Sequence, residues 1–186
     1  MRTLKHSLAV MMLVALASGF GQHAAAAKPG AALAAHVELP VLLPFKGTLE
    51  GSHISRTPLN PPFVFDRFEA RGQATQLGRF ELVIEATVDF GARPVTGAGT
   101  YTFTAANGDQ LVAEHTGRSA LVGPGVVLIT EHAVIDPSRS TGRFAGAEGT
   151  FIVERFADAA TGVGGLTVGT FEGTFSLPRP ASHVEE

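Results

Sequence analysis

Phe80-Glu81-Leu82-Val83-Ile84-Glu85-Ala86-Thr87-Val88-Asp89 carries apolar side chains at every even number and, Val83 excepted, polar ones at the odd numbers. A period of two belongs to a strand whose two faces meet different surroundings, one packed and one wet. Further on, Tyr101, Phe103 and Ala105 alternate in the same way with Thr100, Thr102 and Thr104, and Asn107-Gly108 follows at once. That dipeptide favours the two-residue turn whose twist suits a hairpin, so residues 99–105 and 110–116 are expected to pair antiparallel.

Punctuation supplies the other strands. Leu77-Gly78 divides 65–75 from 79–88, Gly123-Pro124-Gly125 precedes 126–135, and Asp136-Pro137-Ser138 ends that run. Two further runs, 149–156 and 166–176, flank a glycine-rich stretch at 162–165 that reads as a flexible hairpin loop, and 43–51 opens the series. Pro58, Pro61 and Pro62 mark an irregular loop, which leaves about eight strands and no convincing helix, the pattern of a sandwich or barrel. Phe45-Lys46-Gly47-Thr48-Leu49 is echoed by Phe171-Glu172-Gly173-Thr174-Phe175, and Glu148-Gly149-Thr150-Phe151 shares the wording. If the first and last strands pair, the sheet closes and leaves no edge open to aggregation. The expected fold is all-β, an eight-stranded antiparallel β-barrel over about residues 42–177.

The segment ahead of it has another purpose. Arg2 and Lys5 precede an apolar run over 8–17, and the alanines of 24–27 follow the polar Gly21-Gln22-His23. That order is the n-region, h-region and cleavage site of a secretory signal peptide, and the run is about half of the roughly 20 residues a membrane-spanning helix needs. The expected organisation is a signal peptide over 1–27, a flexible segment over 28–41, the barrel, and a tail over 178–186. Cleavage near Ala25, Ala26 or Ala27 would deliver the domain to the periplasm or the exterior, and loss of Arg2 and Lys5 would move the formal charge from −3 to −5.

Composition removes several functions. The absence of cysteine excludes disulfide staples, thiolate metal sites, thiol catalysis and a lipidated cysteine anchor. The 14 Lys and Arg are scattered, so no nucleic-acid partner is expected. A small outer-membrane barrel is a second alternative, but such barrels wear girdles of Trp and Tyr, and this chain has no Trp and one Tyr. The missing Trp also argues against lipocalin and avidin-like barrels.

Ser140-Thr141-Gly142-Arg143-Phe144-Ala145-Gly146-Ala147-Glu148-Gly149 resembles the Thr-Gly-x-Phe-x-x-Ala-x-Gly segment of the barrel shared by plant allene oxide cyclases and dirigent proteins. The match falls on Thr141, Gly142, Phe144, Ala147 and Gly149, and the strand order over about 42–177 resembles exported bacterial proteins of that barrel class. The resemblance implies a fold and, because the plant relatives form trimers, makes a homo-oligomer, dimer or trimer, an expectation. It carries no catalytic residue. In the first strand, 45–49, Lys46 is the sole ionisable group, so the acidic and aromatic residues of dirigent chemistry are missing and those activities do not transfer.

After the signal peptide five histidines remain, His36, His53, His115, His132 and His183, and of these His115 and His132 fall inside expected strands. Glu114, Glu131 and Glu154 are the nearest carboxylates, and a His–carboxylate pair can act as a general base or hold a metal. The weak catalytic candidates are therefore His115, Glu131 and Glu154. Against them, Glu and His on alternating strands usually mark the wet face, and no His-x-His or His-Glu-x-x-His spacing occurs, so no metal and no cofactor are expected. No Gly-x-Ser-x-Gly elbow is present, and the glycines at 162–165 open no helix and form no phosphate cradle. Arg67, Arg71 and Arg79 share one hairpin and are candidates to meet an anion or to stay solvated. The leading expectation is a non-catalytic binding or scaffold module holding a small hydrophobic ligand, with Phe80, Leu82, Ile84, Tyr101, Phe103, Phe151, Phe171 and Phe175 as candidates to line the site or to pack an interior that eight strands can equally fill. The alternative is an isomerase or cyclase acting on an apolar substrate, to be told apart by charged side chains pointing inward among the aromatics.

Overall fold

A computed structural model describes residues 40–178. The expected signal peptide over 1–27 lies outside the described residues, as do nearly all of the two expected terminal segments. Eight strands follow one another: β1 (Leu43–Pro58), β2 (Phe63–Ala74), β3 (Gly78–Asp89), β4 (Val95–Ala105), β5 (Gln110–Gly123), β6 (Val126–Ile135), β7 (Glu148–Asp158) and β8 (Leu166–Ser176). Each pairs antiparallel with its neighbour in sequence, and β1 pairs with β8 from Leu43↔Phe175 to Ser52↔Leu166. The barrel is closed, as the echo between its first and last strands suggested.

Strands β1 and β5 are longer than the alternation implied. β1 runs on from Gly51 to Pro58 and β5 from Thr116 to Gly123, through polar and glycine-rich sequence held by β2 and by β6 respectively, while pairing on the other side stops at Ser52 and at Ser119. The β4–β5 hairpin is where Asn107-Gly108 put it, but the turn differs. Among the described residues Gln76 is the one non-glycine with positive φ, so Asn107 is not left-handed as a two-residue primed turn requires. Gly108, at φ +89°, instead follows a turn closed by its N–H on the Ala105 carbonyl, and Asn107 Oδ1 accepts from the Asp109 N–H.

The inward face is built by pairing large rings with missing side chains. Gly47, Gly72 and Gly173 face inward, and a Cβ on Gly47 or Gly72 would stand 2.7 Å from the ring tip of Phe171 or Phe80. The space they leave is taken by Phe45, Phe80, Phe103, Phe151, Phe171 and Phe175, all fully or nearly fully buried. The Phe45 ring meets Phe103, Phe151, Phe171 and Phe175 at centroid distances of 4.9 to 5.9 Å, three of the four edge-on. These rings fill the end of the barrel at which β1 begins.

The segment from Ser140 to Gly149 closes that end. A single 3₁₀ turn, Gly142–Phe144, lies in the β6–β7 connection and inserts the fully buried Phe144 against Phe175. Thr141 ties the turn to the barrel, its N–H donating to the Gln110 carbonyl and its Oγ1 accepting from the Gln110 N–H. Gly142 sits at φ +57°, with the Asp109 carboxylate where a side chain would be. That carboxylate accepts from the Arg143 N–H, so the glycine, the turn and the hairpin tip form one assembly.

Candidate functional site

The opposite end of the barrel is lined differently, and the difference begins with one extra residue. The register of β1 shifts between His53 and Ser55, leaving Ile54 as a bulge that is 40% exposed. Without it the inward positions would run 53, 55, 57. With it His53 and then Arg56 face inward, and a bulge re-aims side chains in just this manner. The β7–β8 loop holds the bulge in place, since Gly164 N–H donates to the His53 carbonyl and His53 N–H to the Gly165 carbonyl. The glycine-rich stretch is thus a clasp on β1 rather than an unattached loop.

Across the β1–β2 pair, Arg56 meets Asp66 in a two-pronged ion pair, Nε to Oδ1 at 2.8 Å and Nη2 to Oδ2 at 2.7 Å. His53 Nε2 lies 3.2 Å from the same Oδ1 and 3.0 Å from the Ser55 carbonyl. Both His53 and Asp66 are buried. A ring nitrogen between a carboxylate and a carbonyl has acceptors alone around it, so it carries the proton.

A second cluster spans β4 to β8. Arg155 donates from Nε to Glu131 Oε2 at 2.9 Å, from Nη2 to Glu131 Oε1 at 3.2 Å, and from Nη1 to Thr167 Oγ1 at 3.3 Å. The Tyr101 hydroxyl donates to Glu131 Oε2, and His115 Nδ1 stands 3.5 Å from Oε1. Burial pushes the Glu131 carboxyl up, but the charge and hydrogen bonds of Arg155, with His115 and Tyr101 behind them, outweigh it and hold the carboxyl below its ordinary value. For Arg155 burial opposes the charge and Glu131 overcomes it, so its pKa is raised. Burial, then the Glu131 charge, push the Tyr101 hydroxyl well above its ordinary range. Burial, with Arg155 adding to it and Glu131 opposing, draws His115 below its ordinary value. At neutral pH the cluster is a carboxylate, a guanidinium, a neutral phenol and a neutral imidazole. Neither nitrogen of His115 has a hydrogen-bond partner among the described residues.

Phe68 joins the two clusters. The His53 ring stacks on it at 4.6 Å between centroids, and Arg155 Cζ lies 4.7 Å from the same centroid. Above this floor opens a cavity of about 200 Å³, with His53, Asp66, Glu131 and Arg155 among its polar lining and Ala86, Val88, Phe90, Val95 and Ile129 among its apolar walls. Arg56 stands at the rim with its guanidinium 5.2 Å from the Phe90 ring centroid. Among the described residues no group of three or more His, Asp or Glu is placed to hold a metal.

The residues singled out from sequence divide among three places. Phe80, Leu82, Ile84, Tyr101, Phe103, Phe151, Phe171 and Phe175 all point inward and are buried, but they belong to the packed core, and the mouth cavity is lined by other residues. His115 and Glu131 are together and inside, not on the wet face that Glu and His usually mark. Glu131 lines the cavity, whereas His115 packs beneath its floor, 4.5 Å from the Tyr101 ring. Glu154 and His132 are exposed on the outer wall. Arg67 and Arg71 also lie outside, tied to Glu69 and Glu85 and to Glu50. Sequence reading missed His53, Arg56, Asp66 and Arg155. Of these Arg155 had a signal, since it shares parity with Phe151 and Val153 along β7. Compared with protein-family models, with curated proteins and with solved structures, the chain matches none.

Proposed function

We propose that the barrel binds a small, mainly apolar molecule in its mouth. One observation carries the reading: the cavity of about 200 Å³ has apolar walls and a floor of buried, mutually paired polar groups. Ligand sites share that composition, a hydrophobic enclosure with a few fixed polar groups, and this one falls below the usual range of about 300–1,000 Å³. A single substituted ring or a short branched chain matches it. Outward-facing ion pairs such as Arg67–Glu85 and Lys46–Glu172 argue against a hydrocarbon-facing band, and so against the outer-membrane alternative. Thermal unfolding across a size-graded panel of apolar compounds tests the reading. A compound that fits, at about 100 times its Kd, should add roughly 2.7 kcal/mol. No stabilisation by any member, with identical curves for a cavity-filled variant, would defeat it.

A second reading, an isomerase or cyclase-type enzyme, is favoured by the inward direction of His53, Asp66, Glu131 and Arg155, the feature named above as telling the two apart. Conversion of a bound compound, lost in Asp66→Asn while binding persists, would establish it. An exported location belongs with either reading, and N-terminal sequencing of the product should find a start between Ala25 and Pro29. Material beginning at Met1 outside the cytoplasm would overturn it.

A further inference from the structure

We infer, resting on the binding reading above, that the ligand of the mouth cavity is a neutral alcohol whose hydroxyl donates its proton to Nδ1 of His53. The argument starts at Asp66. Its two oxygens take the fork of Arg56, and Oδ1 also faces the His53 ring. His53 Nε2 lies between Asp66 Oδ1 and the Ser55 carbonyl and must be the protonated nitrogen. A neutral imidazole with its proton on Nε2 has its lone pair on Nδ1. That nitrogen has no partner among the described residues, is not among the polar atoms sealed from solvent, and belongs to a side chain that lines the cavity. Arg56 and Asp66 therefore act as positioning residues, fixing a tautomer that presents an acceptor to the cavity.

The charge balance narrows the class further. The two buried carboxylates that line the cavity are each held by an arginine, Asp66 by Arg56 and Glu131 by Arg155. An ionic ligand would lose its hydration and find no unpaired buried counter-charge. A neutral donor on an apolar body fits both the walls and the acceptor at Nδ1.

Calorimetric titration of the full chain with cyclohexanol, methoxycyclohexane and cyclohexanecarboxylate provides the test. Cyclohexanol should bind roughly tenfold tighter than its methyl ether, which sets an oxygen lone pair against that of Nδ1. Equal affinity for alcohol and ether, or tighter binding of the carboxylate, overturns the inference and leaves the binding reading standing. Binding of none of the three, nor of any compound in the size-graded panel, removes the binding reading first.

Two variants separate recognition from folding. His53→Phe retains a ring on Phe68 and should bring the alcohol-to-ether ratio to about one while both still bind. Asp66→Asn keeps an amide oxygen for Nε2 beside the Ser55 carbonyl, so the proton should stay on Nε2 and the alcohol should still bind tighter than the ether. Nitrogen-15 spectra of the wild-type imidazole at neutral pH give a readout free of any ligand. Protonation at Nε2 is expected, and a proton on Nδ1 refutes the proposal whatever the variants do.

Discussion

The two halves of this barrel share strands and alternation, yet one half has its inward positions filled by phenylalanine rings and the other by paired charges around a cavity. Along β4 the inward series runs Val95, Gly97, Gly99, Tyr101, Phe103, Ala105, and along β7 it runs Phe151, Val153, Arg155, Ala157. In each the aromatic rings lie toward the plugged end, with Ala105 beyond them, and glycine, arginine and alanine lie toward the mouth, where Val95 belongs to the apolar wall. An eight-stranded barrel is just wide enough for side chains to fill, so size at each level decides whether it is solid or hollow. The plugged half supplies packing energy. The mouth contributes less of it and holds polar groups in fixed orientations, which suits recognition.

The largest test of that division is Phe45→Ala, at the centre of the ring cluster. Removing a buried phenylalanine should cost about 3–5 kcal/mol in denaturant unfolding, with no refilling by neighbours already in contact. A loss under about 1 kcal/mol would mean that the plugged half is not the stabilising one.

Arg155→Met comes next. It leaves Glu131 buried with its main counter-charge gone, a change that typically costs about 3–5 kcal/mol, and Glu131→Leu added to it should recover most of the loss. A double variant as unstable as the single one would show that the pair stabilises the fold in its own right. The mouth would then share the work assigned to the rings.

How much of this was legible in the sequence follows from what each signal depends on. Alternation in 80–89 and 100–105 revealed the strands because each has one apolar face, and closure was visible because β1 and β8 repeat the same environment. His53 and Arg56 were not legible. The sequence around them, Ser52 to Thr57, does not alternate, and the bulge at Ile54 that turns both inward exists through pairing with β2 and with the glycine clasp. Parity did point Glu131 inward with Ala133 and Ile135, and His115 inward with Leu111 and Ala113. Burial of ionisable groups runs against composition statistics, and the partner that makes it tolerable, Arg155, lies on another strand.

Acid titration sharpens the comparison within the mouth. His115 titrates below its ordinary 6.5 in the folded chain, so the unfolded state takes its proton first. Stability from this group is complete above pH 6.5 and falls as pH drops toward the folded value. Glu131, lowered from 4.5, contributes stability that is present above that pH and is lost as pH falls through its folded value. Wild-type stability should therefore decline in two stages, and His115→Leu should remove the upper one and, because His115 helps to hold the Glu131 carboxyl low, reduce the lower one slightly. An upper stage that survives in His115→Leu belongs to another group.

Ala157→Leu tests the hollow half directly. Ala157 is buried and faces the cavity, so the added carbons enter empty space and unfolding should change by less than about 1.5 kcal/mol. Ligand stabilisation should disappear. If an apolar compound still raises the unfolding temperature of this variant, it binds elsewhere and the mouth is not the site.

Lys46→Ala should have the smallest effect, and it probes the seam where the barrel closes. Lys46 and Glu172 are register partners on β1 and β8, and their side chains form an ion pair of 3.2 Å on the outer wall, 55% and 76% exposed. An exposed pair of this kind gains little in high dielectric and is screened by salt, so its loss should cost about 0–1 kcal/mol and less at high ionic strength. The seam does not depend on it, because the ladder from Leu43↔Phe175 to Ser52↔Leu166 and the buried rings of Phe45 and Phe171 join the same two strands. A loss of 2 kcal/mol or more, insensitive to salt, would place a share of the closing energy on the outer wall and would weaken the claim that the packed interior holds the barrel shut.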